Sequence, residues 1–215
     1  MLRLPWLPFF GCIICLAALS ALAQDTPQAK AFRQHWNKAK PLTLEQSISD
    51  SKNLSGTERS GLLNAVASQL RPSKSRRGIK SEKELRDGAG QYRVAVVDLT
   101  GDSKGKAFVV RGIGEYDCSP TGNCSVWVLR VGAEGYSVVL NGTAQSVWIW
   151  PTQTNGLHDI VLGMHGSATM MGLKLYKSNG SRYQRSACYD ANWTFLGEDG
   201  ERHDLDEPRI TPCSK

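Results

Sequence analysis

The amino-acid sequence predicts an α+β protein, mostly β, in which an N-terminal helical arm precedes an antiparallel β-meander. Before Gly90, apolar side chains recur at helical spacing, whereas after it they form short runs suited to strands. Turn-forming sequences separate these runs at regular intervals, which is typical of hairpins. Cysteines in the second half allow two disulfide bonds to pin the sheet. The pattern is compatible with a blade-like sheet, a sandwich or a barrel.

The first 23 residues have the three-part pattern of a cleaved secretory signal peptide. Arg3 precedes an almost wholly apolar run, Leu7–Leu19, and Ala21 and Ala23 place small side chains at the positions that the peptidase recognises. That run ends early for a bilayer core of ~30 Å, which disfavours a retained membrane anchor. We therefore expect cleavage near Ala23, a periplasmic or secreted location, and no transmembrane segment in the mature chain.

The expected mature chain divides into a helical segment, residues 24–90, and a β domain with its tail, residues 91–215. The formal net charge of the whole chain is +6, of which one positive charge leaves with the signal peptide. This mild excess does not indicate a nucleic-acid-binding protein. We expect no nucleic acid among its partners.

Three helices are expected in residues 24–90. The first places Phe32 and Trp36 four residues apart, on one face. The second begins at a Ser-x-x-Glu capping box formed by Ser55 and Glu58, and a similar box starts at Ser81. The expected limits are Pro27 to Lys40, Ser55 to Pro72, and Ser81 to Gly88.

Eight strands are expected after Gly90, followed by a charged tail without a strand. The expected strands are Tyr92–Leu99, Lys106–Gly112, Ser125–Val131, Tyr136–Leu140, Gln145–Trp150, Asp159–His165, Thr169–Tyr176 and Arg182–Tyr189. Turn sequences stand at Gly132–Gly135, Asn141-Gly142, Thr154–Gly156 and Asn179-Gly180. The stretch Glu198–Glu207 has little apolar surface to hold it against the sheet, and it should fray without a covalent link.

Four cysteines remain after the expected cleavage, and an even count in an exported chain indicates disulfides. Cys118 and Cys124 flank a short loop rich in turn formers, so that closing this loop costs little entropy. The expected pairing is Cys118 with Cys124 and Cys188 with Cys213. The second bond would tie the tail to the last strand.

The stretch DLTGDSKGKAFVV, Asp98–Val110, consists of a strand, an acidic loop and another strand. It resembles the FG-GAP type of motif, whose family builds four-stranded blades and holds calcium in some of its loops. The resemblance implies Asp98, Thr100 and Asp102 as candidate ligands. Two lysines follow where further ligands would be expected, so we expect an Asp-capped turn, no metal site and no cofactor. More broadly, Tyr92–Tyr189 resembles a domain of uncharacterised secreted bacterial proteins, which implies export and a β fold but no activity.

Trp148 and Trp150 lie two residues apart, which places both indoles on one face of a strand. Paired indoles either stack on a ligand such as a sugar ring or lie beneath the N-terminal helices, and the sequence leaves both arrangements open. If they are exposed, they belong to a binding face made of residues with matching parity in neighbouring strands. The expected face comprises Arg130, Trp148, Trp150, Asp159, His165, Lys174 and Tyr176.

No catalytic constellation is apparent in the sequence. His165 lies two residues before Ser167, but a nucleophile also needs an oriented base and an oxyanion hole, and neither is recognisable. We therefore expect a non-enzymatic binding or interaction module with an envelope protein or a glycan as its partner. The alternative is a secreted hydrolase or a hydrolase inhibitor. An inhibitor would use a protruding rigid loop, for which the disulfide-closed loop between Cys118 and Cys124 is the candidate.

Overall fold

The computed structural model describes residues 27–36, 38–44, 46–75 and 77–213. The expected signal peptide lies outside these residues. Within the described ranges the helices are α1 (Pro27–Trp36), α2 (Gly56–Leu70) and α3 (Glu82–Gly90). The strands are β1 (Arg93–Asp98), β2 (Lys106–Arg111), β3 (Cys124–Gly132), β4 (Gly135–Ala144), β5 (Ser146–Thr154), β6 (Leu157–Ser167), β7 (Met170–Ser178), β8 (Tyr183–Leu196) and β9 (Arg202–Pro212).

The strands form two antiparallel sheets in which each strand pairs with its neighbours in sequence. The first sheet has the order β1-β2-β3-β4, and the second has the order β5-β6-β7-β8-β9. The expected fold, mostly β with a helical N-terminal region and two disulfides, is confirmed. None of the described helices has the length and apolar character needed to span a bilayer.

The two sheets pack face to face, and helices cover both outer faces. Val109, Val128 and Ile160 belong to the core between the sheets. Helices α2 and α3 cover the outer face of the first sheet, where Leu62 and Leu85 join its apolar side chains. Helix α1 covers the outer face of the second sheet. Because a sheet is stable when its apolar faces are covered, this order of layers accounts for apolar residues on both faces of the strands.

Helix α2 begins at the capping box that the sequence predicts. The Ser55 hydroxyl accepts the Glu58 N–H at 3.2 Å, and the Glu58 carboxylate accepts the Ser55 N–H at 2.8 Å. Glu58 also pairs with Lys106 of the first sheet. These contacts, above all the hydrogen bond from Lys106, lower the pKa of Glu58 to about 2. Hydrogen bonds and a cation that favour the charged carboxylate are the physical cause.

Part of the charged tail forms a ninth strand, which the sequence did not predict. In β9, Ile210 lies opposite Ala191 and is buried. Backbone hydrogen bonds to β8 hold this strand even though its exposed side chains are strongly charged. The strand was not predicted because an edge strand needs few apolar side chains once its backbone is paired.

The expected turn at Asn141-Gly142 was also wrong, because both residues lie inside β4. Gly142 pairs with Val126, and a Cβ added to it would come within 2.5 Å of Leu162 Cδ1 on the other sheet. This glycine therefore serves close packing of the two sheets rather than a turn. In a strand, glycine often marks such a close approach.

Both expected disulfides are present, Cys118–Cys124 and Cys188–Cys213. The first closes a loop that also bridges the two sheets. The Asn123 side chain accepts the His165 N–H at 2.7 Å and donates to the His165 carbonyl at 2.9 Å. This side-chain amide makes the two hydrogen bonds that a neighbouring strand would make at the end of β6. The loop therefore lies against the second sheet and does not protrude.

Candidate functional site

A cleft of about 290 Å³ lies between α1 and the outer face of the second sheet. Its existence depends on how the helix is held. The Phe32 ring stacks on Trp150 at 4.5 Å and on Tyr189 at 4.2 Å between ring centres. Trp36 packs against Trp148 at 5.0 Å. The four-residue spacing of Phe32 and Trp36 thus sets both rings on the sheet and leaves the polar side of the helix above the cleft.

The two indoles of β5 are covered, since Trp148 is 5 % exposed and Trp150 is 2 % exposed. The covered arrangement that the sequence left open is therefore the one that occurs. An exposed aromatic platform for stacking on sugars is absent from this part of the chain. Polar side chains line the cleft beside these covered indoles.

Asp159 is the central group of this cleft. Its side chain is fully buried, and it lines the cleft together with Trp150. Oδ2 accepts the Thr152 hydroxyl at 2.6 Å, whereas Oδ1 accepts no hydrogen bond from any described residue. Buried polar atoms are almost always paired, because leaving one unpaired costs about 1–3 kcal/mol. Asp159 is therefore an unusual residue in the lining of this cleft, because it is buried and one of its oxygens has no described partner.

Polar side chains from α1 and three strands surround Asp159. Lys177 and His35 are the cleft's other titratable groups apart from Tyr189, and no described cation comes within ion-pair distance of Asp159. Ser186 and Thr152 contribute hydroxyls. The polar residues that line the cleft are Gln28, His35, Thr152, Gln153, Asp159, Lys177 and Ser186.

The structure brings together only part of the expected binding face. Trp150 and Asp159 line the cleft, and Trp148 lies beside them beneath α1. Lys174 and Tyr176 face the other way, because they lie opposite Leu162 and Ile160 of the inter-sheet core. The expected parity of β7 was therefore wrong.

Two further expected residues lie outside the cleft. Arg130 belongs to the first sheet, where it lies opposite Ala107. His165 lies towards the far end of β6, and its backbone holds the disulfide loop through Asn123. Neither residue lines the cleft around Asp159.

In the acidic loop after β1, hydrogen-bond donors of the loop itself bind the two aspartate side chains. Asp98 accepts the backbone N–H groups of Thr100 at 2.9 Å and Ser103 at 2.7 Å, and these bonds lower its pKa to about 2. Asp102 accepts the Lys104 N–H at 3.0 Å and the Thr100 hydroxyl. The loop thus has the geometry of an Asp-capped turn. No group of three or more metal-ligating side chains occurs among the described residues.

The acidic loop contacts Gln153, which lines the cleft. The Gln153 side chain donates to the Thr100 carbonyl at 2.9 Å, and the His158 ring contacts the Trp150 carbonyl at 2.8 Å. These contacts fix the end of the β5–β6 hairpin, from which Thr152 and Asp159 reach the cleft. The loop is thus a support for the site rather than a part of its polar lining.

Sequence reasoning missed most of the cleft's polar lining. Thr152 could have been found, because it lies two residues after Trp150 and shares its face. Lys177 lies on the same face of β7 as Leu175. The sequence does not show that this apolar face is the one that α1 covers, so Lys177 could not be assigned to the cleft. His35 and Gln28 come from α1, and no local signal says which sheet this helix covers.

Comparisons with known proteins do not extend this description. A scan against protein-family models, a search of curated proteins and a search of solved structures each found no match to this chain.

Proposed function

We propose that this protein is an exported, non-enzymatic binding module and that the cleft beneath α1 is its ligand site. The cleft itself, lined by the buried Asp159 and by polar side chains of α1 and three strands, is the observation that carries the proposal. The cleft volume, about 290 Å³, lies at the lower limit of ordinary small-molecule sites.

Export is supported by the N-terminal sequence pattern and by the disulfides. The signal pattern of residues 1–23 predicts cleavage near Ala23, and two disulfides are typical of an oxidising compartment. An envelope protein or a glycan stays the predicted source of the ligand. The resemblance of Asp98–Val110 to the FG-GAP motif stays a prediction as well, and the proposed site does not depend on it.

A blocking variant tests the location of the site. Purified protein is screened against a small-molecule library by saturation-transfer NMR, and each hit is titrated against Ser186→Trp. Ser186 is exposed at the rim of the cleft, so a bulky side chain there obstructs entry without touching Asp159. We expect the hits to lose binding to this variant by about tenfold or more, which is a typical loss when a pocket is filled.

The matched control is Glu134→Trp, in the exposed turn between β3 and β4 on the other sheet. It should bind every hit as well as the unmodified protein does. If the hits bind Ser186→Trp with unchanged affinity, the cleft is not the ligand site.

A secreted hydrolase is the second candidate, because a carboxylate and a histidine line the same cleft. The histidine is His35 of α1 and not His165, which precedes Ser167 in the sequence. General acid–base chemistry would require His35 and Asp159 to act on one substrate, and no hydrogen bond between them occurs in the described structure. Turnover of a hit compound that is abolished in His35→Ala would favour this candidate. The inhibitor alternative has less support, because Asn123 holds its expected loop against the second sheet.

A further inference from the structure

We propose that the open edge of β4 binds an acidic peptide segment in an extended conformation, which adds a strand to the first sheet. This surface is distinct from the cleft beneath α1, and its role does not depend on that cleft. The state of the sheet edges, a second cleft along β4 and the charge beside that cleft all support this role.

The edges of the two sheets are protected to different degrees. The segment between α1 and α2 covers two of them: the Val94 N–H of β1 donates to the Gln46 carbonyl at 2.9 Å, and the Leu42 N–H donates to the Val147 carbonyl of β5 at 2.7 Å. Exposed charged side chains and Pro208 occupy β9, and such residues discourage the addition of a strand. Within the described residues, β4 pairs only with β3 and carries no charged side chain. It is therefore the edge that is left open to a partner strand.

The backbone of β4 offers the hydrogen-bonding groups that an added strand uses. An antiparallel edge strand directs alternate sets of N–H and C=O groups away from its neighbour. Among the described residues, no backbone hydrogen bond joins β4 to any strand other than β3. An extended peptide can pair these groups by strand addition, which is a common mode of peptide recognition.

A cleft of about 430 Å³ follows this open edge. Five consecutive residues of β4, Ser137–Asn141, line it, and at about 3.4 Å per residue they span roughly 17 Å. Gln69 of α2 and Ser181–Tyr183 at the start of β8 complete the lining. Because α2 covers the outer face of the first sheet and β8 belongs to the second sheet, these residues flank the edge on both sides. The cleft thus has the length and the walls to hold a short strand beside β4.

A bulge divides the part of β4 that a peptide can reach. The register with β3 shifts at Val139, where β4 has one extra residue. Val139 and Leu140 are buried in the core between the sheets, whereas Ser137, Val138 and Asn141 are accessible. We therefore expect the hydrogen bonds of an added strand on either side of the bulge.

Two arginines give this cleft its positive charge. Arg182 is exposed in the cleft lining, and Asn179 accepts its N–H at 2.8 Å, which fixes the turn before β8. Arg130 lies opposite Ser137 in the sheet. Burial raises the pKa of Tyr183, and the charge of Arg130 opposes this rise, so that Arg130 lies near the cleft as well. No described acidic residue comes within ion-pair distance of either guanidinium.

These charges favour an acidic peptide over a second copy of the chain. A guanidinium binds a carboxylate through two parallel hydrogen bonds, so a glutamate or aspartate side chain is the partner that the arginines lack. Symmetric pairing of β4 with itself would instead bring the Arg182 side chains of both copies to the same contact. Like charges there repel each other.

The test titrates the full chain with seven-residue peptides whose ends are blocked. One peptide alternates valine with glutamate, a second alternates valine with lysine, and a third is the glutamate peptide with N-methylated backbone amides. We expect the glutamate peptide to bind at least about tenfold more tightly than the lysine peptide, because only its charge complements the arginines. N-methylation should weaken binding about tenfold or more, since it removes the backbone donors of the added strand.

Nuclear magnetic resonance locates the bound peptide on the sheet. Amide chemical shifts should change within Ser137–Asn141, and hydrogen exchange there should slow on binding. Arg182→Glu should weaken binding of the glutamate peptide about tenfold and strengthen binding of the lysine peptide. Arg202→Glu makes the same change of charge at an exposed position of β9 and should leave both affinities unchanged.

Several outcomes would overturn the proposal. They are a glutamate peptide that does not bind or binds no better than the lysine peptide, equal effects of the two arginine variants, and shift changes confined to the cleft beneath α1. A dimer in light scattering whose β4 amides are protected without peptide would assign the edge to a second copy. None of these results alters the Ser186→Trp test, so the function proposed for the cleft beneath α1 is decided separately.

Discussion

Two buried aspartates show how differently this fold treats a carboxylate. Asp117 is fully engaged: Arg77 donates to both of its oxygens at 2.7 Å, and the Tyr92 hydroxyl donates to one of them. Burial beside this carboxylate raises the pKa of Tyr92. Asp159 is equally buried but has one unpaired oxygen. The first aspartate has the contacts of a structural anchor, whereas the second keeps one oxygen without a described partner.

The first prediction concerns the Asp117 anchor. Asp117→Ala should lower the free energy of unfolding by about 3–5 kcal/mol, because it leaves the Arg77 guanidinium buried without its partner. The Arg77 and Asp117 side chains are 14 % and 3 % exposed, so solvent compensates little. Urea denaturation followed by tryptophan fluorescence measures the change.

Asp87→Ala is the control for this prediction. Asp87 pairs with Lys83 on the surface of α3, where both side chains are largely exposed. Its loss should hardly change the free energy of unfolding, because solvent screens an exposed ion pair. Equal losses for the two variants would show that the Asp117 pair does not behave as a buried one.

Among the secondary-structure elements, α2 depends most clearly on a single charged residue. Glu58 accepts the Ser55 N–H and pairs with Lys106, so it joins the start of the helix to the first sheet. An acidic residue in the first turn also complements the helix dipole. This one side chain therefore contributes to the capping of α2 and to its attachment.

The second prediction is a pH dependence at this position. The pKa of Glu58 is about 2 in the folded protein, against an ordinary value of 4.5. Its stabilisation is therefore complete above about pH 4.5 and is lost as the pH falls through about 2. Glu58→Gln should lower the free energy of unfolding by about 1 kcal/mol at pH 7, which is the size of a helix cap. That difference should shrink at pH 3 in urea titrations.

Glu134→Gln, in an exposed turn, serves as the control and should have little effect at pH 7. A Glu58→Gln effect that is the same at both pH values would contradict a role for the carboxylate charge. The loss would then have to come from the shape of the side chain alone.

At the scale of the molecule, the second disulfide joins the end of β9 to β8. Cys213 donates its N–H to the Cys188 carbonyl at 3.2 Å, and Ile210 is buried a few residues earlier. Strand pairing and apolar burial thus hold the tail in addition to the covalent bond. The disulfide and the ladder are two separate restraints on the same segment.

The third prediction follows from this double restraint. Replacing Cys188 and Cys213 by Ala should lower the free energy of unfolding by about 3 kcal/mol, because a loop of 25 residues is released in the unfolded chain. The amide of Ile210 should nonetheless stay protected from hydrogen exchange, since β9 remains paired. Replacing Cys118 and Cys124 opens a loop of 6 residues and should cost less, about 2 kcal/mol. Rapid exchange along β9 in the first variant would show that the disulfide alone holds the tail.

Local chemistry was sufficient to predict most elements and both disulfides. The capping box at Ser55, the turn at Thr154–Gly156 and the short loop between Cys118 and Cys124 act over a few residues, so their signals are complete in the sequence. The signal peptide expected in residues 1–23 stays a prediction. β9 was not predicted from the sequence, because its stability comes from backbone pairing with β8 rather than from its own side chains.

The site required the tertiary structure, because both faces of the second sheet are covered. In a sheet with one solvent-exposed face, the polar residues of each strand show which side chains point outward. In the second sheet, the first sheet covers one face and α1 covers the other. Polar parity therefore assigned Lys174 to the face of Trp150, whereas Lys177 is the lysine that reaches the cleft. Long-range packing alone decides which sheet a helix covers, and that contact creates the cleft around Asp159.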